Sequence, residues 1–218
     1  MLTGFTAALL LITASELGDK TFFISMCLAM RHARRFVLIG SIAALAAMTI
    51  LSVLIGQVAS NFPKDFVHYG SILLFIAFGF KSFFDASRMP IECRDKSLAV
   101  GENLIECMSD AEREAAAAIA QAEINLRKKT PFAITLEAFI LVFIAEWGDR
   151  TQFSTITMAA ANNPWGVAIG ATLGHAICAL IAVLGGRMIA GRISERTITL
   201  LGGILFFVFA IVSWFEGV

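Results

Sequence analysis

The chain has 218 residues, of which 58% are hydrophobic and 16% charged, against roughly 45–50% and about 25% in soluble domains. Lysine plus arginine and aspartate plus glutamate balance at 17 each, so nothing implies a basic surface for nucleic acid. Such proportions exclude an ordinary soluble enzyme and describe an integral membrane protein.

A helix needs about 20 apolar residues to cross a bilayer, and six segments qualify: 3–29, 37–57, 67–85, 132–160, 165–186 and 197–215. The first lacks a basic leader region and runs on to Met30, so it reads as a helix of the fold, not a signal peptide. Asn61-Phe62-Pro63 and Asn162-Asn163-Pro164 supply turn chemistry after the second and fourth spans. Residues 86–130 are polar, and the Ala, Glu, Arg and Lys of 110–129 predict a solvated linker helix at the membrane surface. Cys27 and Cys178 fall in apolar spans and Cys93 and Cys107 in this linker, with no zinc or redox spacing.

The first and fourth spans are interrupted by charge. Glu16-Leu17-Gly18-Asp19-Lys20-Thr21 and Glu146-Trp147-Gly148-Asp149-Arg150-Thr151 lie 130 residues apart. The register extends to Val37 and Val167, to Gly40 and Gly170, and to Val53 and Val183. The chain thus divides into a three-span repeat at 1–85, a linker at 86–130, and a second three-span repeat at 131–218. Three is odd, so the second repeat enters the membrane from the opposite side. The expected fold is an all-α membrane protein of six transmembrane helices in two inverted-topology repeats, a plan of secondary transporters that places the binding site near the midplane.

Orientation follows from lysine and arginine. Fourteen of the 17 lie in the loops after spans one, three and five, counting Lys81 at the end of span three with the central loop; Lys64 alone lies on the other side, and Lys20 and Arg150 are in the motifs. The central loop is therefore expected in the cytoplasm, with both termini outside.

Ionisable side chains at bilayer depth are functional-site candidates by default. On a continuous helix residues three apart share a face, which would align Glu16 with Asp19 and Glu146 with Asp149. Four such carboxylates suit a hard cation such as calcium, magnesium or manganese. Thr21, Thr151 and Gln152 are possible further oxygen ligands, and Gly18 and Gly148 allow a hinge or close backbone approach. With Lys20 and Arg150 balancing charge, the site sums to −2, which one divalent ion or two protons would neutralise. Alternation between those states is a basis for cation/proton exchange. The bland alternative makes Glu16–Lys20 and Glu146–Arg150 structural i,i+4 ion pairs. His175, whose repeat counterpart is Leu45, reads first as a satisfied core histidine and second as a ligand or proton carrier. Glu137 reads as snorkelling or interfacial, or else as part of an ion path. Ser41, Thr49, Ser52 and Thr172 are expected to bond between helices.

Both motifs fit the pattern E-x-G-D-K/R-T/S at every specified position, and in this the chain resembles the GDT-type family of membrane calcium/manganese:proton antiporters. The six spans and charged central loop extend that resemblance over essentially the whole chain, and within the family it is most similar to cyanobacterial manganese exporters. The resemblance implies export of manganese or calcium from the cytoplasm against protons, with Glu16, Asp19, Glu146 and Asp149 binding the metal. It further implies residence in a plasma (inner) or thylakoid membrane, no tightly bound cofactor, and metal ion and protons as the partners. Two other classes stay open: an intramembrane aspartyl protease, which the extra glutamate and adjacent cation of each motif disfavour, and a membrane scaffold.

Overall fold

The computed structural model describes residues 2–88, 110–125, 130–189 and 195–216. Among them nine helices are present: α1 (Leu2–Glu16), α2 (Lys20–Arg31), α3 (Arg34–Ala59), α4 (Lys64–Arg88), α5 (Asp110–Asn125), α6 (Pro131–Ala145), α7 (Arg150–Ala161), α8 (Pro164–Ile189) and α9 (Glu195–Glu216). No strand occurs among the described residues. Four helices, α3, α4, α8 and α9, contain stretches long and apolar enough to cross a membrane, and the α6–α7 pair, bent by 75°, adds a fifth as one broken span. Leu54, Leu73, Phe80 and Leu201 are each more than half exposed, which lipid tolerates and water does not. The chain is an α-helical, multi-pass membrane protein.

The spans expected as continuous helices over 3–29 and 132–160 are both broken at the charged motif. Gly18 and Gly148 each adopt φ +80°, a left-handed conformation that glycine enters without steric cost. Asp19 and Asp149 follow in extended backbone, with ψ 170° and 165°, as N-caps of α2 and α7. The turn closes in the same way twice, the Asp19 and Asp149 N–H groups donating to the Glu16 and Glu146 carbonyl oxygens at 3.2 Å each. Glu16 and Asp19 therefore meet across a turn, not along a helix face.

The halves repeat in structure as in sequence. The helices α1, α2 and α3 have 15, 12 and 26 residues, and α6, α7 and α8 have the same lengths. Packing exchanges partners between them: α1 lies on α8, α3 on α6 and α7, and α4 on α9. A Cβ on Gly40 of α3 would collide with the Thr135 carbonyl oxygen of α6, and one on Gly170 of α8 with that of Phe5 in α1. Those residues are again 130 apart in both pairs. In lipid, close backbone approach at small residues replaces hydrophobic burial as the source of helix association, and here it joins one half to the other.

The linker helix is not wholly solvated as its composition suggested. Ala115 and Ile119 of α5 are fully buried, in one apolar cluster with Phe22, Phe23 and Leu28 of α2 and Ile134 and Ala138 of α6. Docking thus gives a polar helix one apolar face. The linker's Cys93, Cys107, Arg94, Lys96, Lys128 and Lys129 lie outside the described residues.

Candidate functional site

The breaks between α1 and α2 and between α6 and α7 bring the two motifs together. One carboxylate oxygen each from Glu16, Asp19 and Asp149 lies within 4.8 Å of the others. Glu146 is outside that trio but is likewise buried. Neither Asp19 nor Asp149 caps its helix through the side chain, the usual use of an N-cap aspartate, so both carboxylates remain turned to other work.

Each motif threonine holds its own glutamate. Thr21 Oγ1 donates to Glu16 Oε2 at 3.2 Å, and Thr151 Oγ1 to Glu146 Oε2 at 3.4 Å, with Asp149 Oδ2 at 3.5 Å. Gln152 Oε1 accepts from the Gly148 N–H at 2.7 Å and so pins the turn of the second motif. The glycine N–H of the first motif has no such side chain, because Phe22 stands at the position of Gln152.

The arginine acts across the halves. Arg150 Nη2 lies 4.0 Å from Asp19 Oδ1, and Arg150 Nη1 donates to Ser82 Oγ of α4 at 3.1 Å. Among the described residues Glu16–Lys20 and Glu146–Arg150 form no ion pair, since the helix is interrupted between the members of each. Lys20, Asp19, Asp149 and Arg150 line a cavity of about 440 Å³, together with Ser82 and Asp85 of α4 and Glu114 of α5.

What the carboxylates lack is as informative as what they hold. Glu16 Oε1, Asp19 Oδ2 and Glu146 Oε1 are buried without a hydrogen-bond partner. A buried unpaired carboxylate oxygen costs several kcal/mol, and a divalent cation or protons would remove that cost.

Other sequence candidates fall differently. His175 is not a satisfied core residue: it is buried, its Nδ1 has no hydrogen bond, and that atom lies 3.8 Å from Glu16 Oε1. A lone imidazole in an otherwise apolar span was the available signal, and its apolar repeat counterpart concealed it. Glu137 does not snorkel; its carboxyl is buried, with Oε2 at 3.8 Å from His32 Nε2 at the end of α2. Ser41 does bond between helices, to Ser25 at 2.9 Å, whereas Thr49 and Ser52 bond back to Leu45 and Met48 carbonyls of their own helix. Nothing in the sequence pointed to Ser82, because a serine on a transmembrane face most often serves its own backbone.

A multi-pass helical membrane protein with repeated, charged helix breaks is a transporter architecture. The family described as divalent cation/proton antiporter GDT1 matches residues 4–90 and 134–218, and the chain belongs to this family of transporters, which are not enzymes. It is 55% identical to GDT1-like protein sll0615 of Synechocystis sp., over 98% of both chains. It is also 40% identical to the chloroplastic GDT1-like protein 2 of Oryza sativa subsp. japonica and 40% identical to the chloroplastic PAM71-homolog protein of Arabidopsis thaliana. Each of those matches covers 98% of this chain but 61% and 59% of the longer plant proteins. No solved structure matches the chain.

Proposed function

We propose that this protein exports manganese from the cytoplasm in exchange for protons, with calcium as the alternative cargo, and that Glu16, Asp19, Glu146 and Asp149 bind the cation. The observation that carries the reading is the set of unpartnered, buried oxygens on Glu16, Asp19 and Glu146, beside the Asp149 carboxylate. A site of net charge −2, counting Lys20 and Arg150, is neutralised either by one divalent ion or by two protons, so release of one load favours uptake of the other. Thr21 and Thr151 orient the glutamates, and Arg150 limits how firmly the cation is held.

In this reading α1–α2 and α6–α7 are two broken spans that complete six, related as inverted repeats, with the helix breaks at the membrane midplane. The lysine and arginine bias sets the central linker in the cytoplasm and both termini outside. Support for residence in a plasma or thylakoid membrane comes from the cyanobacterial and chloroplast relatives.

Exchange is tested with the purified protein in vesicles holding a pH-sensitive dye. External manganese should alkalinise the lumen as protons leave; uptake of manganese with no change in lumenal pH would contradict proton coupling.

A further inference from the structure

The two halves present different faces to the carboxylates. Position 175 of α8 corresponds to 45 of α3, where a buried leucine stands. His175 is held against α1 by a tight contact: a Cβ on Gly174 would lie 3.0 Å from Thr13 Oγ1 and 3.2 Å from the Leu9 carbonyl oxygen, and Gly170 admits no Cβ at all. Close packing of α8 on α1 thus delivers the imidazole to Glu16 at the end of α1. His175 Nδ1 and Glu16 Oε1 are both buried, both without a hydrogen bond, and 3.8 Å apart.

That separation suits an ion better than a direct contact. Two ligand atoms each about 2.0–2.3 Å from one metal stand about 3 Å apart at a right angle and over 4 Å apart when opposed. A hydrogen bond would draw them to about 2.9 Å. The separation therefore matches two ligands of one cation, with His175 added beside Glu16 to the Glu16, Asp19 and Asp149 trio.

We infer that His175 is a nitrogen ligand to the transported ion and that it sets the preference for manganese over calcium. The inference rests on the cation-binding reading above and adds the residue that discriminates between its two cargoes. Calcium takes oxygen ligands and gains little from an imidazole. Manganese shares calcium's use of oxygen ligands but, as a first-row transition metal, gains more than calcium does from a single nitrogen donor added to them. Four carboxylates alone do not separate the two ions, and the asymmetric histidine supplies the missing distinction.

The test uses manganese(II) bound to the full chain in lipid nanodiscs, read by pulsed electron paramagnetic resonance, with parallel flux in vesicles. Modulation from a directly coordinated nitrogen is expected in the wild type and is lost in His175→Leu, which copies the residue of the equivalent position. The manganese-to-calcium flux ratio should fall about tenfold, the lower end of what losing a partner at a metal site costs, while calcium flux persists. His175→Asn, smaller and polar, serves as the second variant if the leucine protein is not monodisperse, with the same loss expected. Bound manganese without nitrogen modulation, or an unchanged flux ratio in a folded variant, overturns the inference. A wild type that moves neither ion yet keeps the nitrogen signal would end the transport reading alone.

Discussion

Arg150 of the second motif lies 4.0 Å from Asp19 of the first, closer than to any acid of its own motif. The positive charge of one half therefore lies on the carboxylate of the other, and neither motif is a self-contained site. Its second contact, to Ser82 at 3.1 Å, fixes the guanidinium against α4. Replacing Arg150 with glutamine should leave the acidic site more negative, hold the cation more firmly and slow its release. Expected in vesicle flux are a lower apparent KM and a maximal rate reduced by about tenfold, equivalent to about 1.4 kcal/mol. An unchanged KM with a reduced rate would show that the arginine only supports folding.

Gly18 and Gly148 share φ +80°, and their surroundings separate backbone strain from crowding. A Cβ on Gly148 meets nothing within 4 Å, and one on Gly18 makes only ordinary contact with Ile198 at 3.4 Å. Alanine at either position should therefore cost about 1–2 kcal/mol from the left-handed backbone alone. Asparagine, which tolerates that region, should cost less than alanine, and valine more. Thermal unfolding in detergent reads the order.

Gly40 and Gly170 join the halves where no side chain fits, against the Thr135 and Phe5 carbonyl oxygens. Gly40→Ala and Gly170→Ala should each destabilise by about 1–3 kcal/mol. Gly70 is the control: it is an exposed residue of α4 with nothing within 4 Å of a Cβ, so Gly70→Ala should stabilise by about 0.5–1 kcal/mol. Equal effects at all three would mean that the contact between halves is not tight.

His32 and Glu137 form a second buried polar contact, at 3.8 Å, between the end of α2 and α6. Truncating one member leaves the other buried and alone. Glu137→Leu and His32→Leu should each destabilise more than half as much as the double variant, with a coupling of at least about 1 kcal/mol. Additive effects in denaturation would show that the two do not sense one another.

Much of this arrangement was legible in the sequence because lipid leaves few alternatives. Apolar runs of fixed length and a duplicated E-x-G-D motif each have a direct physical meaning in a bilayer. The helix break was less legible. Glycine inside an apolar span marks either close packing or a left-handed turn, and only the backbone at Gly18 and Gly148 separates these from Gly40 and Gly170. The contacts of Arg150 with Asp19 and Ser82 were hidden because they depend on how three helices, α2, α4 and α7, meet. His175 was visible as a residue but not as a neighbour of Glu16, since its repeat counterpart, Leu45, carries no chemistry. Docking of α5 through Ala115 and Ile119 was masked by the polar composition of the helix.

The most direct measurement is manganese accumulation in proteoliposomes driven by an imposed proton gradient, comparing the wild type with Asp19→Asn and Asp149→Asn. If the carboxylates of both halves bind the cation and exchange it for protons, the wild type accumulates manganese only with the gradient, and each substitution abolishes that accumulation while the protein remains folded. Gradient-driven accumulation that survives either substitution would contradict a site shared between the two motifs.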